Sequence, residues 1–488
     1  MAKSGKAVLI GIDIGTTSVK AVMSDVAGRV LDRFHAAHDM HRHGHSVAEQ
    51  DPADWWTAVQ QALDRFAAHP RAGDVAVLGV TGQVNTHLFC DTDLMPLRPA
   101  ITWQDGRAAT KAARLDTAIG EDAKIAALGA PVPIDASHAL SRLAWLMRHE
   151  PDSAAMARHL LVPKDWIIAR LTGHVGTDPL SSVGLVGPSL AYAPAILDLS
   201  KGAADILPPL SDPLAAAGKI RQGPFAGVPV IRGTMDAWAS LFGLGLARDG
   251  EGMYLSGTSD VLAVISSAGR GAPGVVTFPP WRGIALHAGP TQSGGASVAW
   301  GAGMLGKSLN EMSDLALQAP IRPDSPLFLP HLEGERAPLW DAASRGGFAG
   351  LSSNHGPAAI AAAVMEGVAF AARLALEAVE DSACIQASTL RFGGGGAASS
   401  VWTQIRANTL GRTLVPVQTK EPGALGAIVI AGAGAGLLDS LDAATQQIVP
   451  TGPPVAATQE AADIATARFR AWRELHPALR TATDLLDR

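Results

Sequence analysis

Alternating apolar and polar positions at the start of the chain predict a β-hairpin. Residues 7–34 fit three strands, with turns at Gly15 and Gly28. The first turn consists of glycine and hydroxyl residues, whose N–H and O–H groups suit a phosphate, and Asp13 just before it offers oxygen ligands for Mg²⁺. A plain glycine-threonine turn after a strand-end aspartate explains the same residues equally well.

The hairpin pattern occurs a second time near the middle of the chain. Gly257, Thr258 and Ser259 follow a short apolar strand, and the residues after them alternate as in the first copy. Internal similarity of this kind indicates two related halves. We therefore expect two domains, residues 1–245 and 246–488, with a nucleotide held between the two donor-rich turns.

The remaining periodicity mixes helices with strands, which predicts an α/β protein. Asp51 and Pro52 are typical of a helix N-cap and first turn. The other expected elements are strands over residues 74–80, 228–232, 253–255 and 389–392, mostly helical structure over 136–172, and helices over 358–379 and from about 401 to 410.

Composition narrows the class of protein. Of the 488 residues, 47% are hydrophobic and 17% charged, so large cores are possible. The formal charge of −6 argues against a nucleic-acid partner. The only cysteines, Cys90 and Cys384, make no disulfide framework, so a cytoplasmic location is expected. The start of the chain does not resemble a signal peptide, and the apolar stretch 427–438 is too short to cross a membrane.

Two loops after predicted strands carry candidate chemistry. Asp236 follows the strand 228–232 on a Gly-Thr-Met turn, where a carboxylate serves as a base or a metal ligand; a helix N-cap is the equally weighted alternative. Residues 393–396 are four glycines between a strand and a helix, a turn that lets a nucleotide approach the backbone closely.

The segment Trp103-Gln-Asp105-Gly-Arg107 is a candidate polyol site. The ring can stack on a sugar, and the carboxylate and guanidinium can hydrogen-bond to its hydroxyls. A turn stabilised by an Asp–Arg pair is the alternative.

Residues 301–308 match the phosphate-binding pattern G-x-x-x-x-G-K-[ST] letter for letter. A working P-loop follows a buried strand, whereas residues 294–305 are expected to form a helix. We therefore expect Lys307 to have no role in phosphate binding, although a P-loop NTPase remains an alternative.

Together these motifs resemble the FGGY family of carbohydrate kinases over nearly the whole chain. That family has two ribonuclease-H-like domains of the actin-like ATPase fold, flanking a deep cleft. The resemblance rests on the two turns around Gly15 and Gly257, and on residues 161–173, 331–351, 366–367, 393–399 and 421–426.

The resemblance implies roles for individual residues. It makes Asp236 the catalytic base that accepts the proton of a primary hydroxyl, and Asp13 the carboxylate associated with Mg²⁺. The nucleotide ATP would be bound by Thr16, Thr17, Gly257, Thr258, Gly295, Gly395 and Ser399. The sugar would be bound by Gln83, Asn85, Trp103, Asp105 and Arg107 together with Asp236. Residues 421–426 would continue the adenosine motif of residues 393–399, and relatives of this kind are often homodimers.

The substrate pattern is closest to that of xylulokinases, with departures. Asn85 stands where those enzymes usually have histidine, Ala237 where they have asparagine, and Trp238 where they have a small residue. We expect these positions to touch substrate. A ketopentose such as xylulose is the leading expectation. The alternatives are a tetrulose or a linear polyol of the erythritol, xylitol or glycerol type, and a non-catalytic sugar-binding or regulatory protein on the same fold.

Overall fold

The computed structural model describes residues 6–44, 46–267 and 269–486. In this part of the chain the strands form two six-stranded sheets and three small ones. The strands are β1 (Val8–Ile14), β2 (Ser18–Asp25), β3 (Val30–Ala37), β4 (His41–His43), β5 (Val47–Gln50), β6 (Val75–Gly82), β7 (Leu88–Cys90), β8 (Ala100–Ile101), β9 (His159–Leu161), β10 (Ala216–Lys219), β11 (Pro229–Ile231), β12 (Gly252–Ser256), β13 (Asp260–Ser266), β14 (Val276–Thr277), β15 (Ala285–Pro290), β16 (Leu327–Leu329), β17 (Gly347–Ala349), β18 (Thr389–Gly393) and β19 (Thr413–Pro416).

Helices occupy most of the intervals between these strands. They are α1 (Pro52–Ala67), α2 (Ala109–Ile119), α3 (Glu121–Leu128), α4 (Ala139–His149), α5 (Pro151–Met156), α6 (Pro163–Thr172), α7 (Pro194–Leu197), α8 (Ala203–Ile206), α9 (Asp236–Gly243), α10 (Gly295–Met304), α11 (Leu309–Leu317), α12 (Pro357–Ala383), α13 (Ser400–Leu410), α14 (Pro422–Gly434), α15 (Leu441–Ile448), α16 (Gln459–Arg473) and α17 (Leu475–Leu486).

The chain divides into two compact units. The first contains Met1–Ala247, Phe278–Trp281 and Glu421–Val449, and the second contains the remaining segments. The expected division at residue 245 stays a prediction, and the observed grouping differs from it: residues 246–247, Phe278–Trp281 and Glu421–Val449 belong with the first unit rather than with the second.

Close backbone packing explains why this late segment joins the first unit. A Cβ atom on Gly11 of β1 would lie 2.0 Å from the carbonyl oxygen of Ala424, and one on Gly79 of β6 would lie 2.3 Å from that of Ala427. Since real Cβ atoms essentially never come this close to backbone, α14 can lie on the sheet only because both strand positions are glycine.

The sheet of the first unit has the order β10-β11-β6-β1-β2-β3. Its three inner neighbours β11, β6 and β1 are parallel, whereas β1 and β2 form an antiparallel hairpin. Parallel strands end at the same edge of a sheet, which is where α/β proteins place their chemistry. The residues that directly follow β1, β6 and β11 therefore lie together.

The sheet of the second unit has the order β14-β15-β13-β12-β18-β19, with β12, β18 and β19 parallel. It packs on α12, whose buried face includes Ala372, Leu376 and Val379. Within the described residues, α12 is the one helix long and apolar enough to cross a membrane, and 78% of its apolar window is buried. Packing inside the unit therefore accounts for its hydropathy.

Most of the predicted elements are confirmed. The two hairpins form where expected, and Asp51 caps α1 by accepting a hydrogen bond from the backbone N–H of Ala53 at 2.9 Å. The region 136–172 is mostly helical, as expected, and it includes β9, a three-residue strand that pairs with β7 and lies between α5 and α6.

Candidate active site

Asp13 lies near the end of β1 with one carboxylate oxygen unsatisfied. Its Oδ1 is buried and accepts no hydrogen bond from any described residue. Burial raises the pKa of this carboxyl from 3.8 to about 6, and the charge of Lys20, opposite it on β2, acts in the other direction. A buried carboxylate oxygen without a donor fits a cation or a ligand, because burying it alone costs free energy.

A second segment of the first unit closes around Asp13. Gly423, in the first turn of α14, has no space for a side chain: a Cβ there would lie 2.3 Å from Oδ2 of Asp13. The N-terminal turn of α14 therefore packs directly against the carboxylate. Residues 421–426 belong with the first unit, and their expected role as a continuation of the adenosine motif stays a prediction.

Asp236 is the first residue of α9, and the loop of residues 232–235 joins this helix to β11. Its Oδ1 accepts the backbone N–H of Ala237 at 2.9 Å, and the backbone N–H of Val84 acts to lower the pKa of the carboxyl. Desolvation, and then the charge of Asp13, raise the pKa of Asp236 from 3.8 to about 7. A half-buried carboxyl that changes protonation near neutral pH is suited to general base chemistry.

Gly233 sets the position of Asp236. Its φ is +66°, and a Cβ there would lie 2.2 Å from the carbonyl oxygen of Val80 on β6. The loop can therefore lie close against β6 only with glycine at this position. The hydroxyl of Thr81 donates to the carbonyl of Thr234 at 2.6 Å and holds the same loop.

Gln83 follows β6, close to the two aspartates, but its polar atoms are already used. Its amide nitrogen donates to Gln50 at 2.8 Å and to the carbonyl of Gly15 at 3.4 Å, and its oxygen accepts the hydroxyl of Thr86 at 3.0 Å. Gln83 is also buried. It therefore braces the turn of the first hairpin, and its role as a sugar ligand stays a prediction.

Asn85 and Trp103 remain partly accessible. Asn85 has a left-handed φ of +54°, its side chain donates to Ser137 at 3.2 Å, and buried Arg142 donates to its carbonyl. The indole N–H of Trp103 donates to the hydroxyl of Thr16 at 3.0 Å, and the residue is 40% exposed. These two side chains offer surface to a ligand, with Trp103 in contact with the first turn.

Asp105 and Arg107 form an ion pair, which is the alternative to a polyol site that the sequence analysis considered for these residues. Arg107 approaches Asp105 to 2.6 Å and Glu49 to 2.7 Å, and its guanidinium lies 4.9 Å from the ring centroid of Trp145. Asp105 also accepts the backbone N–H of Ala48 at 2.7 Å. Because these contacts occupy both charged groups, the pair stabilises its turn, and a direct contact with sugar stays a prediction.

Trp238 is wholly buried rather than lining an open pocket. Its ring centroid lies 6.0 Å from that of Phe242, 6.5 Å from Phe278 and 6.2 Å from Trp281. The expectation that this position touches substrate therefore has no support from the packing. The aromatic cluster instead fixes α9, the helix that begins at Asp236.

In the second unit, five of the predicted nucleotide residues line one cavity of about 490 Å³. They are Gly257, Thr258, Gly295, Gly395 and Ser399. Most of the remaining wall is apolar and includes Val298, Met365 and Trp402. A largely apolar cavity with a donor-rich turn at one side fits a purine nucleoside with a phosphate tail. Thr16 and Thr17 belong to the first unit, on the turn of the first hairpin.

Glycines create this cavity. Since β12 and β18 are parallel, the turn after Ser256 and the glycines after β18 lie at the same edge. A Cβ on Gly394 would lie 2.2 Å from the carbonyl oxygen of Ser256, and one on Gly396 would lie 2.2 Å from its Oγ. The glycine run therefore allows close packing against β12.

Models of the N-terminal and C-terminal domains of the FGGY family of carbohydrate kinases match residues 8–243 and 254–435. The chain belongs to this family. Membership confirms the predicted family, the two-domain α/β fold of the actin-like ATPase class, and the expectation of a sugar kinase acting on a small sugar molecule. FGGY kinases transfer a phosphoryl group from ATP, so ATP is the implied donor.

Individual relatives agree with this assignment. The chain is 30% identical over 425 residues to a xylulose kinase of Escherichia coli, covering 83% of this chain and 85% of the relative. It is 32% identical over 449 residues to a xylulose kinase of Streptomyces coelicolor, covering 89% of each. A crystal structure titled as a xyloylose kinase from Brucella ovis matches 97% of this chain and 100% of that chain, with a TM-score of 0.89 and 28% identity.

The FGGY kinase fold also explains the P-loop lookalike. Residues 301–304 complete α10, as expected, and Ser308 caps α11 in a capping box with Glu311. The Nζ of Lys307 lies 3.2 Å from Glu311. A P-loop requires a strand immediately before it, but here the helix α10 occupies that position. The P-loop alternative is therefore wrong.

Sequence reasoning missed several residues that shape the site. Val84 contributes only a backbone N–H, and Gly233 and Gly423 contribute only the absence of a side chain. No composition or motif marks such roles. The cytoplasmic location, the homodimer and the absence of nucleic-acid and membrane partners stay predictions.

Proposed function

We propose that this FGGY kinase transfers the terminal phosphoryl group of ATP to a primary hydroxyl of a ketopentose such as xylulose. One observation carries the proposal: the ends of β1 and β11, on either side of β6, bring Asp13 and Asp236 close enough for the charge of one to raise the pKa of the other, at the edge where α/β enzymes bind substrates. The substrate class is supported by the xylulose kinases among its relatives.

Asp236 is the proposed base. With its pKa near 7, a substantial fraction of the carboxyl is ionised at neutral pH and able to accept the hydroxyl proton of the sugar. The backbone N–H of Ala237 fixes the carboxylate by a hydrogen bond, so that little reorganisation is needed when the proton moves.

Asp13 is the proposed magnesium residue. Its unsatisfied buried oxygen fits a hard cation, and Mg²⁺ is usually bound by one or two carboxylates together with substrate phosphates. When bound, Mg²⁺ supplies charge neutralisation for the polyphosphate. The first turn of α14, packed against the other carboxylate oxygen, keeps Asp13 in place.

One set of observations favours a second substrate class. Gln83, Asp105 and Arg107, three of the five predicted sugar ligands besides Asp236, use their polar atoms within the protein. Fewer free polar groups are then left to recognise a pentulose. A tetrulose or a linear polyol, which presents fewer or more flexible hydroxyls, is the second candidate.

A coupled ADP-release screen across C3 to C7 ketoses, alditols and aldonates tests the proposal. We expect turnover with a pentulose, and a loss of about 1,000-fold in kcat in Asp236→Asn, since general base catalysis contributes about 10²–10⁴-fold. Lys307→Ala is the matched control and should retain wild-type turnover. Turnover with polyols alone would replace the substrate class, and an active Asp236→Asn would refute the proposed base.

A further inference from the structure

An arginine side chain from a distant segment contacts the second donor-rich turn. The Nη2 of Arg336 donates to the hydroxyl of Ser259 at 3.1 Å, and its Nε donates to the carbonyl of Thr291 at 3.2 Å. All three residues belong to the second unit. Arg336 follows β16, far from Ser259 in sequence, so only the fold brings the cation to the turn.

The charge of Arg336 is poorly compensated. Among the described residues no aspartate or glutamate forms an ion pair with it, although the side chain is half-buried. Desolvation lowers the pKa of its guanidinium, and Glu335 acts in the opposite direction. Glu335 itself is turned toward other donors: it accepts the hydroxyl of Ser293 at 2.6 Å and the backbone N–H of Arg336 at 2.8 Å.

The position of this cation follows from the cavity beside it. Thr258, the neighbour of Ser259, lines the 490 Å³ cavity together with Gly295, Gly395 and Ser399. A nucleoside in that cavity would direct its phosphates over the exposed turn at Gly257 and Thr258, and the next side chain along the turn is in contact with Arg336.

The geometry points to Arg336 as a ligand of the distal phosphates of the bound nucleotide, an assignment that rests on the proposed nucleotide site. A planar guanidinium offers several donors to phosphate oxygens, whereas its present contacts, a hydroxyl and a carbonyl, leave its charge unbalanced. An incoming polyphosphate supplies that missing charge. Arg336 would then contribute binding energy that a nucleoside without phosphates cannot use.

Calorimetric titration of wild type and variants with adenosine, ADP and a non-hydrolysable ATP analogue, each with Mg²⁺, tests this role. In Arg336→Gln we expect at least tenfold weaker binding of ADP and of the ATP analogue, and adenosine affinity within twofold of wild type. Arg336→Lys keeps a point charge without the planar fork, so it should recover part of the lost affinity. Loss confined to the ATP analogue would also support the assignment, with contact at the γ-phosphate alone.

Arg345→Gln is the matched control. Arg345 lies nine residues away and is exposed, and among the described residues it donates only to the backbone carbonyls of Ala342 and Ser344. We expect wild-type affinity for all three ligands in this variant. If Arg336→Gln does not fold, Arg336→Lys alone decides, with an expected threefold or greater loss for the ATP analogue and none for adenosine.

Other outcomes would overturn the assignment. Equal weakening of the affinities for adenosine and for the ATP analogue would mean that Arg336 only maintains the shape of the turn. Unchanged affinities would mean that it neither binds phosphate nor maintains the turn. Both results leave the proposed function intact, because wild type would still bind the ATP analogue. A wild-type protein that binds none of the three ligands would refute the nucleotide site itself.

Discussion

The two hairpins, residues 8–25 and 252–266, share a glycine-hydroxyl turn but differ in the place and environment of the carboxylate. In the first hairpin Asp13 lies two residues before the turn glycine, where the second hairpin has Leu255. In the second, Asp260 begins the outgoing strand, where the first has Ser18.

The partners of the two carboxylates differ in the same way. The Oδ2 of Asp260 accepts the hydroxyl of Tyr254 at 2.6 Å and lies 3.6 Å from the Nη2 of buried Arg406, which also donates to Ser256 and lies 3.4 Å from the ring centroid of Trp402. Among the described residues, Oδ1 of both carboxylates has no hydrogen-bond partner, but Asp13 has no ion pair like that of Asp260 with Arg406. The same kind of turn therefore carries a structural carboxylate in the second hairpin, where Arg406 supplies the counter-charge of Asp260. In the first hairpin, Asp13 lacks such a partner and is available for chemistry.

The largest effect on stability is expected from removing Arg406, the buried cation of α13 that pairs with Asp260 of the second hairpin. Arg406→Met leaves Asp260 without its counter-charge, which costs about 3 kcal/mol or more in the free energy of unfolding. Urea denaturation measures this loss. The double variant Arg406→Met with Asp260→Leu should recover most of it, and a single variant as stable as wild type would contradict a structural role for the pair.

Removing the carboxylate from the first hairpin should affect turnover instead. Asp13→Asn is expected to lower kcat about 100-fold, since the neutral amide no longer helps to compensate the charge of the polyphosphate. The thermal midpoint should not fall, because the raised pKa of Asp13 shows that folding disfavours its charged form. A fall of several degrees with activity retained would place Asp13 in the same class as Asp260.

The smallest expected effect is a change in the pH dependence of kcat/KM. The base form of Asp236 exists above its pKa of about 7, so kcat/KM for the sugar should rise with pH, by about tenfold per unit well below that value. The charge of Asp13 contributes to this raised pKa, so the midpoint in Asp13→Asn should move to lower pH. A flat profile between pH 5.5 and 8 would contradict the assignment of Asp236.

The sequence predicted those features of the fold that depend on local residue patterns. Both hairpins, the cap of α1 at Asp51 and the helix that replaces a P-loop follow from periodicity and turn chemistry, and they are present. The sequence did not predict that residues 421–426 pack within the first unit, because this packing depends on Gly11 and Gly79, more than 300 residues earlier in the chain. No local pattern encodes such a contact.

In the candidate site, too, some features were predicted from the sequence and others depend on tertiary contacts. The roles of Asp236 and Asp13 were predicted from the resemblance to the FGGY family, because local pattern alone left equal alternatives, and five of the predicted nucleotide residues do share one cavity. Whether Asp105 and Arg107 pair with each other or remain free, and whether Trp238 is exposed, depends on neighbours from other elements, namely Glu49, Phe278 and Trp281. Side-chain satisfaction of this kind is a tertiary property.

The return of α14 to the first unit has a practical consequence for fragments and chimeras. A truncated chain that stops at residue 247 would lack the helix that covers Gly11 and Gly79, and would expose a smooth, apolar strip of sheet to solvent. Such a half-protein should aggregate. An exchange of the first unit with that of a relative should therefore carry residues 421–449 along with it, as a second, distant insert.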